Sequence, residues 1–140
     1  MTVKLPKNYR PSEKEEYMSE RQLEYFKQKL IDWRRNLLRN MARALTDLQE
    51  RGDMQAADIN DRATNEIEQA LAMKERDRDR KLIEKINAAL DRIEDGTYGY
   101  CLETGDPIGI LRLEARPTAT LCIEAQERRE RRERTQAPRG

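Results

Sequence analysis

The sequence predicts a mainly α-helical protein: a long antiparallel coiled-coil hairpin, then a small C-terminal knob and a C-terminal helix. Of the 140 residues, 39% are charged and only 36% are hydrophobic, which is too polar a balance for a thick globular core. Two long stretches without proline or glycine carry apolar residues at helical spacing. Four of the six glycines then fall between residues 96 and 109, which indicates a compact loop-rich region.

The first long helix is expected over residues 19–50, with a length of roughly 45 Å at a rise of about 1.5 Å per residue. Its apolar residues recur in steps of three and four, the spacing of a coiled-coil seam. They are Leu23, Phe26, Leu30, Trp33, Leu37, Met41 or Ala44, and Leu48. Ser19 and Gln22 match a capping box at the helix start, and Ser12 and Glu15 predict a short helix before it.

The second long helix is expected to follow a break at Gly52 and to end at Asp95, where Gly96 supplies a left-handed cap. Its seam is predicted at Ile67, Leu71, Leu82, Ile86, Ala89 or Leu90, and Ile93. Residues 74–81 are all charged, so the seam must be polar there and ion pairs must cover the rest of the surface. Two helices of similar length with a short connection form an antiparallel hairpin, whose far tip we expect at residues 51–63.

The chain changes character after the second helix. A small core is predicted from Tyr98, Tyr100, Ile108, Ile110, Leu113, Leu121 and Ile123. The charged segment ERRERRER, which favours a helix, begins at residue 127. Composition therefore divides the chain into an N-terminal arm with a short helix at 1–18, the hairpin at 19–95, the knob at 96–126, and a charged C-terminal helix or tail at 127–140.

Cys101 and Cys122 look like the surviving halves of a zinc ribbon. Each begins a C-x-x-C spacing whose second cysteine is replaced, by Thr104 in one half and by Ala125 in the other. A hydroxyl is a poor zinc ligand and a methyl group is none, so two thiolates do not close a tetrahedral site. Recruitment of a nearby carboxylate would be unusual. We expect a degenerate zinc-finger-like knob that folds without metal; the plainer alternative is that both thiols are core residues.

Composition also excludes several classes of function. Histidine is absent, which removes the commonest general base and the commonest nitrogen ligand for metals. The chain has no apolar run long enough for a membrane helix, and the start MTVKLPKNYR lacks the apolar region of a secretory signal. We therefore expect a cytoplasmic protein without membrane contact, in which both cysteines stay reduced.

Several longer segments resemble the DksA/TraR family. The knob sequences TYGYC and RLEARPTATLCIEAQ look like the C-terminal zinc-finger region of that family, and KEEYMSERQLEYFKQKLIDWR looks like its first helix. The segment ERDRDRKLIEKINAALDRIEDGTYGYC resembles the second helix as it enters the finger, and AADINDRATNE resembles the hairpin tip. The resemblance covers residues 12–126, and the loss of the second cysteine in each pair resembles the two-cysteine, zinc-independent DksA paralogues.

The resemblance implies a regulator of transcription initiation that binds bacterial RNA polymerase directly and makes no specific contact with promoter DNA. Proteins of this family insert the hairpin into the secondary channel, through which nucleotides reach the polymerase active site. The alarmone ppGpp binds at the interface as an effector, and open complexes at stringently controlled promoters become shorter-lived. The regulator itself performs no covalent chemistry and requires no cofactor.

The tip pattern of the family, D-x-x-D-x-A, is matched by Asp58, Asp61 and Ala63. Two carboxylates on a projecting hairpin would act on a catalytic centre built from Mg²⁺ and basic side chains. A structural role is the alternative, because a short acidic side chain at a helix start caps the helix or is favoured by its dipole.

Other positions match the family's polymerase- and alarmone-binding residues. Arg78 matches a polymerase contact. The positions that match residues near ppGpp are Leu82, Lys85 and Arg116. Arginine and lysine suit phosphate, although most such residues in so charged a chain are solvated surface. Gln126 stands where the family often has lysine, which weakens the expected pocket unless Arg112 compensates.

Two other classes of function remain open. The arginine-rich tail and the former finger suggest a nucleic-acid-binding module, but the interleaved glutamates oppose the net positive patch that such a module needs. A coiled-coil adaptor would have no use for an acidic motif on an exposed tip. An enzyme has the least support, since the chain has no histidine, no phosphate-cradling glycine loop and no nucleophile–base pair.

Overall fold

Four helices make up the regular secondary structure of the described chain. The computed structural model describes residues 3–55 and 59–136. The helices are α1 (Glu20–Gln55), α2 (Ile59–Asp95), α3 (Ile110–Ala115) and α4 (Ile123–Gln136). Within these residues the only β-type pairing is an isolated antiparallel bridge between Tyr100 and Pro107. The mainly α-helical class predicted from the sequence is confirmed.

The chain forms two compact units, and each contains parts of both long helices. The terminal unit consists of Met1–Leu30 and Ala88–Gly140. It therefore combines the N-terminal segment, the first turns of α1, the last turns of α2, the knob, α3 and α4. The central unit is Ile31–Asn87 and contains the rest of the two long helices.

Ser19 caps α1, as the sequence predicts. Its Oγ accepts a hydrogen bond from Gln22 N–H at 3.3 Å, while Gln22 Oε1 accepts one from Met18 N–H at 2.7 Å. The buried Gln22 also donates its Nε2 to Ser12 O at 3.1 Å. These contacts hold residues 12–18 in turns, so the short helix predicted after Ser12 is wrong. A segment this short does not meet the cost of helix nucleation by itself.

The predicted break at Gly52 is also wrong, because α1 continues to Gln55. One glycine costs a helix interior about 1 kcal/mol relative to alanine, which a long helix tolerates. No proline adjoins Gly52 in the sequence. The helix bounds leave only residues 56–58, outside the described part of the chain, between α1 and α2.

The two long helices pair antiparallel in the central unit. Arg34 Nη1 donates to Asn87 Oδ1 at 2.6 Å, early in this part of α1 and late in this part of α2. Further along α1, Leu48 lines a cavity of about 330 Å³ together with Ala72, which comes earlier in α2. Contacts that advance along one helix and recede along the other define the hairpin that the sequence predicts.

The inner face of α2 differs from the predicted seam in its N-terminal half. Ile67 and Leu71 are 64% and 56% exposed, so their assignment to the seam is wrong. The shielded positions recur in steps of three and four and are Asn65, Glu68, Ala72, Arg76 and Asp79. Most of them are polar, as expected beside the charged run. Asn65 Oδ1 and Arg76 Nε are buried without a hydrogen-bond partner among the described atoms, which weakens this stretch of the seam.

The terminal unit buries an apolar core. Its largest members are Phe26 and Tyr98, whose rings lie 5.8 Å apart, and burial of such a side chain is worth about 1.5–3 kcal/mol. The other buried apolar side chains of this unit are Leu30, Ala89, Cys101, Ile108, Ile110, Leu113, Ala119, Leu121 and Ala125. Two residues predicted for the core are not buried: Ile123, the first residue of α4, is 57% exposed, and Tyr100 is 36% exposed.

α2 ends at Asp95, as predicted. Gly96 follows with a φ of +84°, the left-handed conformation that closes a helix C-terminus most easily with glycine. Asp95 Oδ1 accepts a hydrogen bond from Thr97 N–H at 3.0 Å, which fixes the direction of the chain as it enters the knob.

Candidate functional site

Two of the three residues of the predicted tip motif, Asp61 and Ala63, lie in α2. Asp61 is the third residue of this helix. Ala63 follows two residues later and is exposed. Asp58 lies outside the described residues. The assignment of these three residues to the tip, and their role there, stay predictions.

Arg78, Leu82 and Lys85 lie on one face of α2, because spacings of four and three residues place side chains on the same side of a helix. Arg78 and Lys85 are exposed, and Leu82 is half-buried. Two cations that flank an aliphatic side chain form a surface suited to an anionic or acidic partner. These three residues belong to the central unit, whereas Arg116 belongs to the terminal unit.

Arg116 closes the short helix α3. Its backbone N–H donates to Arg112 O at 2.8 Å, and its side chain is exposed. The neighbouring Arg112 donates its Nε to Leu121 O at 3.0 Å, in the segment between α3 and α4. Its guanidinium is therefore less available to compensate for a missing lysine. Gln126, at the position of that lysine, donates its amide to Glu130 Oε1 at 3.1 Å.

α3 is held by contacts that the sequence analysis missed. Lys29 of α1 donates to Glu114 O at 3.0 Å and to Glu114 Oε2 at 2.8 Å. Burial raises the pKa of Glu114, but hydrogen bonds from Lys29 and Tyr25 outweigh it and hold that pKa below its usual value. Burial and the Glu114 carboxylate raise the pKa of Tyr25 to about 12. The only sequence signal is a tyrosine four residues before a lysine, which is too common to predict a contact.

The four positions of the former zinc site do not form a complete ligand set. Thr104 Oγ1 lies 3.8 Å from Cys122 Sγ, and Cys101 packs in one cluster with Ala125, which is fully buried. Ala125 offers no donor atom, and the Thr104 hydroxyl accepts a hydrogen bond from Asp106 N–H at 3.2 Å. In the described part of the chain, no three Cys, His, Asp or Glu side chains converge on a metal position. The residues present therefore do not fit a tetrahedral zinc site.

The polar surroundings of a thiolate nevertheless persist around Cys101, which is 3% exposed. Burial opposes ionisation of the thiol. Hydrogen bonds from the Thr104 hydroxyl and from the backbone N–H groups of Cys122, Thr104 and Glu103 outweigh burial and lower the pKa of Cys101 to about 6. The Glu103 carboxylate pairs with Arg132 at 3.6 Å, so it does not complete a ligand set with the two sulfurs.

The paired long helices and the ribbon-derived knob define a helical-hairpin protein with a degenerate zinc finger. Residues 22–93 match the family described as DnaK suppressor protein DksA, N-terminal domain. Residues 96–131 match the prokaryotic dksA/traR C4-type zinc finger, of whose four cysteines this chain keeps two. The chain belongs to the DksA family.

Relatives cover nearly the whole chain. The RNA polymerase-binding transcription factor DksA of Caulobacter vibrioides is 58% identical over 127 residues, which are 91% of this chain and 89% of that protein. The protein of the same name from Escherichia coli K12 is 44% identical over 129 residues, 92% of this chain and 85% of that protein. The solved structure of transcription factor DksA2 from Pseudomonas aeruginosa superposes with a TM-score of 0.78 at 42% identity, and the match covers 84% of this chain and 90% of that one.

No helix in the described ranges combines the length and the apolarity that a membrane span requires.

Proposed function

We propose that this protein binds bacterial RNA polymerase and regulates transcription initiation. The observation that carries the proposal is the 58% identity, over 91% of the chain, to a protein named for binding RNA polymerase. The exposed cations on one face of α2 supply a surface of the required kind. Arg78 on that face contacts the polymerase.

The tip acts at the polymerase active site, which the hairpin reaches through the secondary channel. Asp58 and Asp61 bring negative charge to a centre of Mg²⁺ and basic side chains, where carboxylates compete for the same partners. The small side chain of Ala63 leaves space beside the two carboxylates. The contact destabilises open complexes at stringently controlled promoters, because the open complexes at these promoters are only marginally stable.

The alarmone ppGpp strengthens this effect as an anionic effector. Lys85 and Arg116 pair with its phosphates, and Leu82 offers an apolar contact beside Lys85. Gln126 carries no charge, and Arg112 is engaged by a backbone carbonyl. We therefore expect a weaker response to ppGpp than in a relative that has lysine at position 126.

The regulator requires no zinc, performs no catalysis and makes no specific contact with DNA or membranes. The incomplete donor set at Cys101 and Cys122 supports the first point. In α4, four glutamates accompany five arginines, and such a balance leaves little net positive charge for a phosphate backbone. Because bacterial RNA polymerase works in the cytoplasm, we expect the protein there.

Asp61→Asn tests the role of the tip, because it removes one carboxylate with little change of shape. We expect core polymerase to bind this variant with nearly wild-type affinity, since the helix shafts and the knob supply most of the contact. Inhibition of a ribosomal promoter should be lost. Glu66→Gln removes an exposed carboxylate five residues further along α2 and is the matched control, which should inhibit fully.

Full inhibition by Asp61→Asn would refute the role of the tip. Failure of the wild-type protein to bind core polymerase would refute the proposed function itself. Retention of duplex DNA in the absence of polymerase would favour the nucleic-acid-binding alternative, and binding to polymerase without any effect on transcription would favour an adaptor.

Arg116→Ala tests the alarmone contact. It should reduce the increase in inhibition caused by ppGpp more than it reduces binding to polymerase without ppGpp. Arg128→Ala, which removes an exposed arginine of α4, is the control for loss of one positive charge. A wild-type protein that ignores ppGpp on a responsive promoter would show that Gln126 has disabled the site.

A further inference from the structure

Tyr17 connects the N-terminal segment to two glycines of the knob. Its hydroxyl donates to Gly99 O at 2.7 Å and accepts a hydrogen bond from Gly109 N–H at 2.9 Å. Its ring meets Tyr100 edge-on, with centroids 5.6 Å apart. Burial raises the pKa of the Tyr17 hydroxyl, which therefore stays protonated and able to donate at neutral pH. One side chain thus holds both ends of the loop 99–109.

This bridge acts directly on the start of α3. Gly109 is the N-cap of α3, and no side chain caps the helix. Gly109 O accepts Leu113 N–H at 3.1 Å, in the first turn, while Gly109 N–H is held by Tyr17. Because α3 has only six residues, the direction set at Gly109 also sets the position of Arg116, about two turns further on.

The other end of α3 is anchored separately by Lys29, through the backbone and carboxylate oxygens of Glu114. A short helix that is held at one end can still pivot about that point. The Tyr17 bridge at Gly109 supplies a second point, and these two contacts fix the axis of α3 together with its buried apolar face and the side-chain hydrogen bond of Arg112.

We infer that Tyr17 is a positioning residue for Arg116: its hydroxyl holds α3 so that the exposed guanidinium is presented to the anionic effector. The inference rests on the proposed function for the identity of the effector. A preorganised cation loses less conformational freedom when it binds phosphate, so removal of the bridge weakens the response without removal of the charge. A purely stabilising role for Tyr17 predicts a lower melting temperature with an unchanged response.

The test compares Tyr17→Phe with Tyr9→Phe. The first variant deletes both hydrogen bonds and keeps the aromatic ring. The second deletes a hydroxyl of the same N-terminal segment, which donates within that segment to Glu15 Oε2 at 2.7 Å. We expect the ppGpp concentration for half of the added inhibition to rise about three- to tenfold for Tyr17→Phe and less than about twofold for Tyr9→Phe. Inhibition without ppGpp should not change.

A double variant separates positioning from a general loss of stability. If Tyr17 acts through Arg116, the variant Tyr17→Phe/Arg116→Ala should respond to ppGpp as weakly as Arg116→Ala alone. Additive losses in the double variant would overturn the inference. An unchanged response of the single variant Tyr17→Phe would overturn it as well.

Amide hydrogen exchange supplies a readout that needs no polymerase. Tyr17→Phe should accelerate exchange at the N–H groups of Leu113 and Arg116, and Tyr9→Phe should not. If the wild-type protein shows no response to ppGpp, the proposed effector fails, and exchange alone decides whether Tyr17 holds α3. Unchanged exchange in α3 would overturn the inference in either case.

Discussion

Replacement of Thr104 and Ala125 by cysteine should convert the knob into a zinc-dependent structure. In a tetrahedral site with Zn–S bonds of about 2.3 Å, neighbouring sulfurs lie about 3.8 Å apart. Thr104 Oγ1 already lies 3.8 Å from Cys122 Sγ, and Ala125 shares a buried cluster with Cys101. Cysteines at these two positions would therefore complete four thiolates with only small side-chain adjustments.

The sign of the stability change depends on zinc. Without metal, a sulfur atom added at the fully buried Ala125 overpacks the cluster, at a cost of about 1–3 kcal/mol. With zinc at about a thousand times its dissociation constant, binding adds about 4 kcal/mol to the free energy of unfolding. For a chain of this length, that gain raises the melting temperature of the variant by roughly 8–16 °C. The wild-type protein, with two thiolates, should respond neither to zinc nor to a chelator.

The assay is thermal unfolding followed by circular dichroism, with added zinc or with a strong chelator, beside elemental analysis of the purified proteins. The control variant Thr104→Ser/Ala125→Ser carries hydroxyls in place of the two thiols. Wild-type protein that holds near-stoichiometric zinc, or that melts at a lower temperature with chelator, would refute the argument about the ligand set. A double-cysteine variant that binds no zinc would refute the argument that the ribbon geometry is retained.

Three further predictions concern the terminal unit. Tyr98→Phe should lower the free energy of unfolding by about 1–2 kcal/mol in chemical denaturation, because it leaves Pro117 O without its buried 2.7 Å hydrogen bond; an unchanged midpoint would contradict this. Gly99→Ala should lower the free energy of unfolding by about 1–3 kcal/mol, because the φ of +92° and a methionine sulfur 2.6 Å from the added Cβ both oppose a side chain. Wild-type stability would mean that the methionine side chain moves away at no cost. The folded-state pKa of Glu114 lies below its usual 4.5, so the stability that it contributes is present above that pH and is lost as the pH falls through the folded-state value. The melting temperature of Glu114→Gln should therefore fall less steeply with decreasing pH than that of the wild-type protein. An identical pH dependence would argue against the contact.

The mainly helical class and the hairpin could be predicted from the sequence, and so could the local chemistry at two helix ends. Ser19 at the start of α1 and Gly96 at the end of α2 act through hydrogen bonds and backbone conformation within a few residues, so the pattern alone identifies them. The predicted break at Gly52 is wrong because a glycine ends a helix only where the surroundings favour a left-handed residue. The predicted seam of α2 is wrong at Ile67 and Leu71 because a neighbouring set of mostly polar residues faces inward instead. The sequence of α2 alone does not show which of the two sets faces α1.

The contacts that orient α3 could not be predicted, and their sequence separations explain why. Tyr17 reaches Gly99 and Gly109 across 82 and 92 residues, and Lys29 reaches Glu114 across 85. A six-residue helix is too short to be stable alone, so its position depends on such distant partners and on the burial of its apolar face. In a four-cysteine finger a metal ion would add a further constraint near this helix. With two cysteines, the hydrogen bonds from Tyr17 and Lys29 carry more of that constraint, so substitution of either residue should alter the effector response although both lie far from Arg116 in sequence.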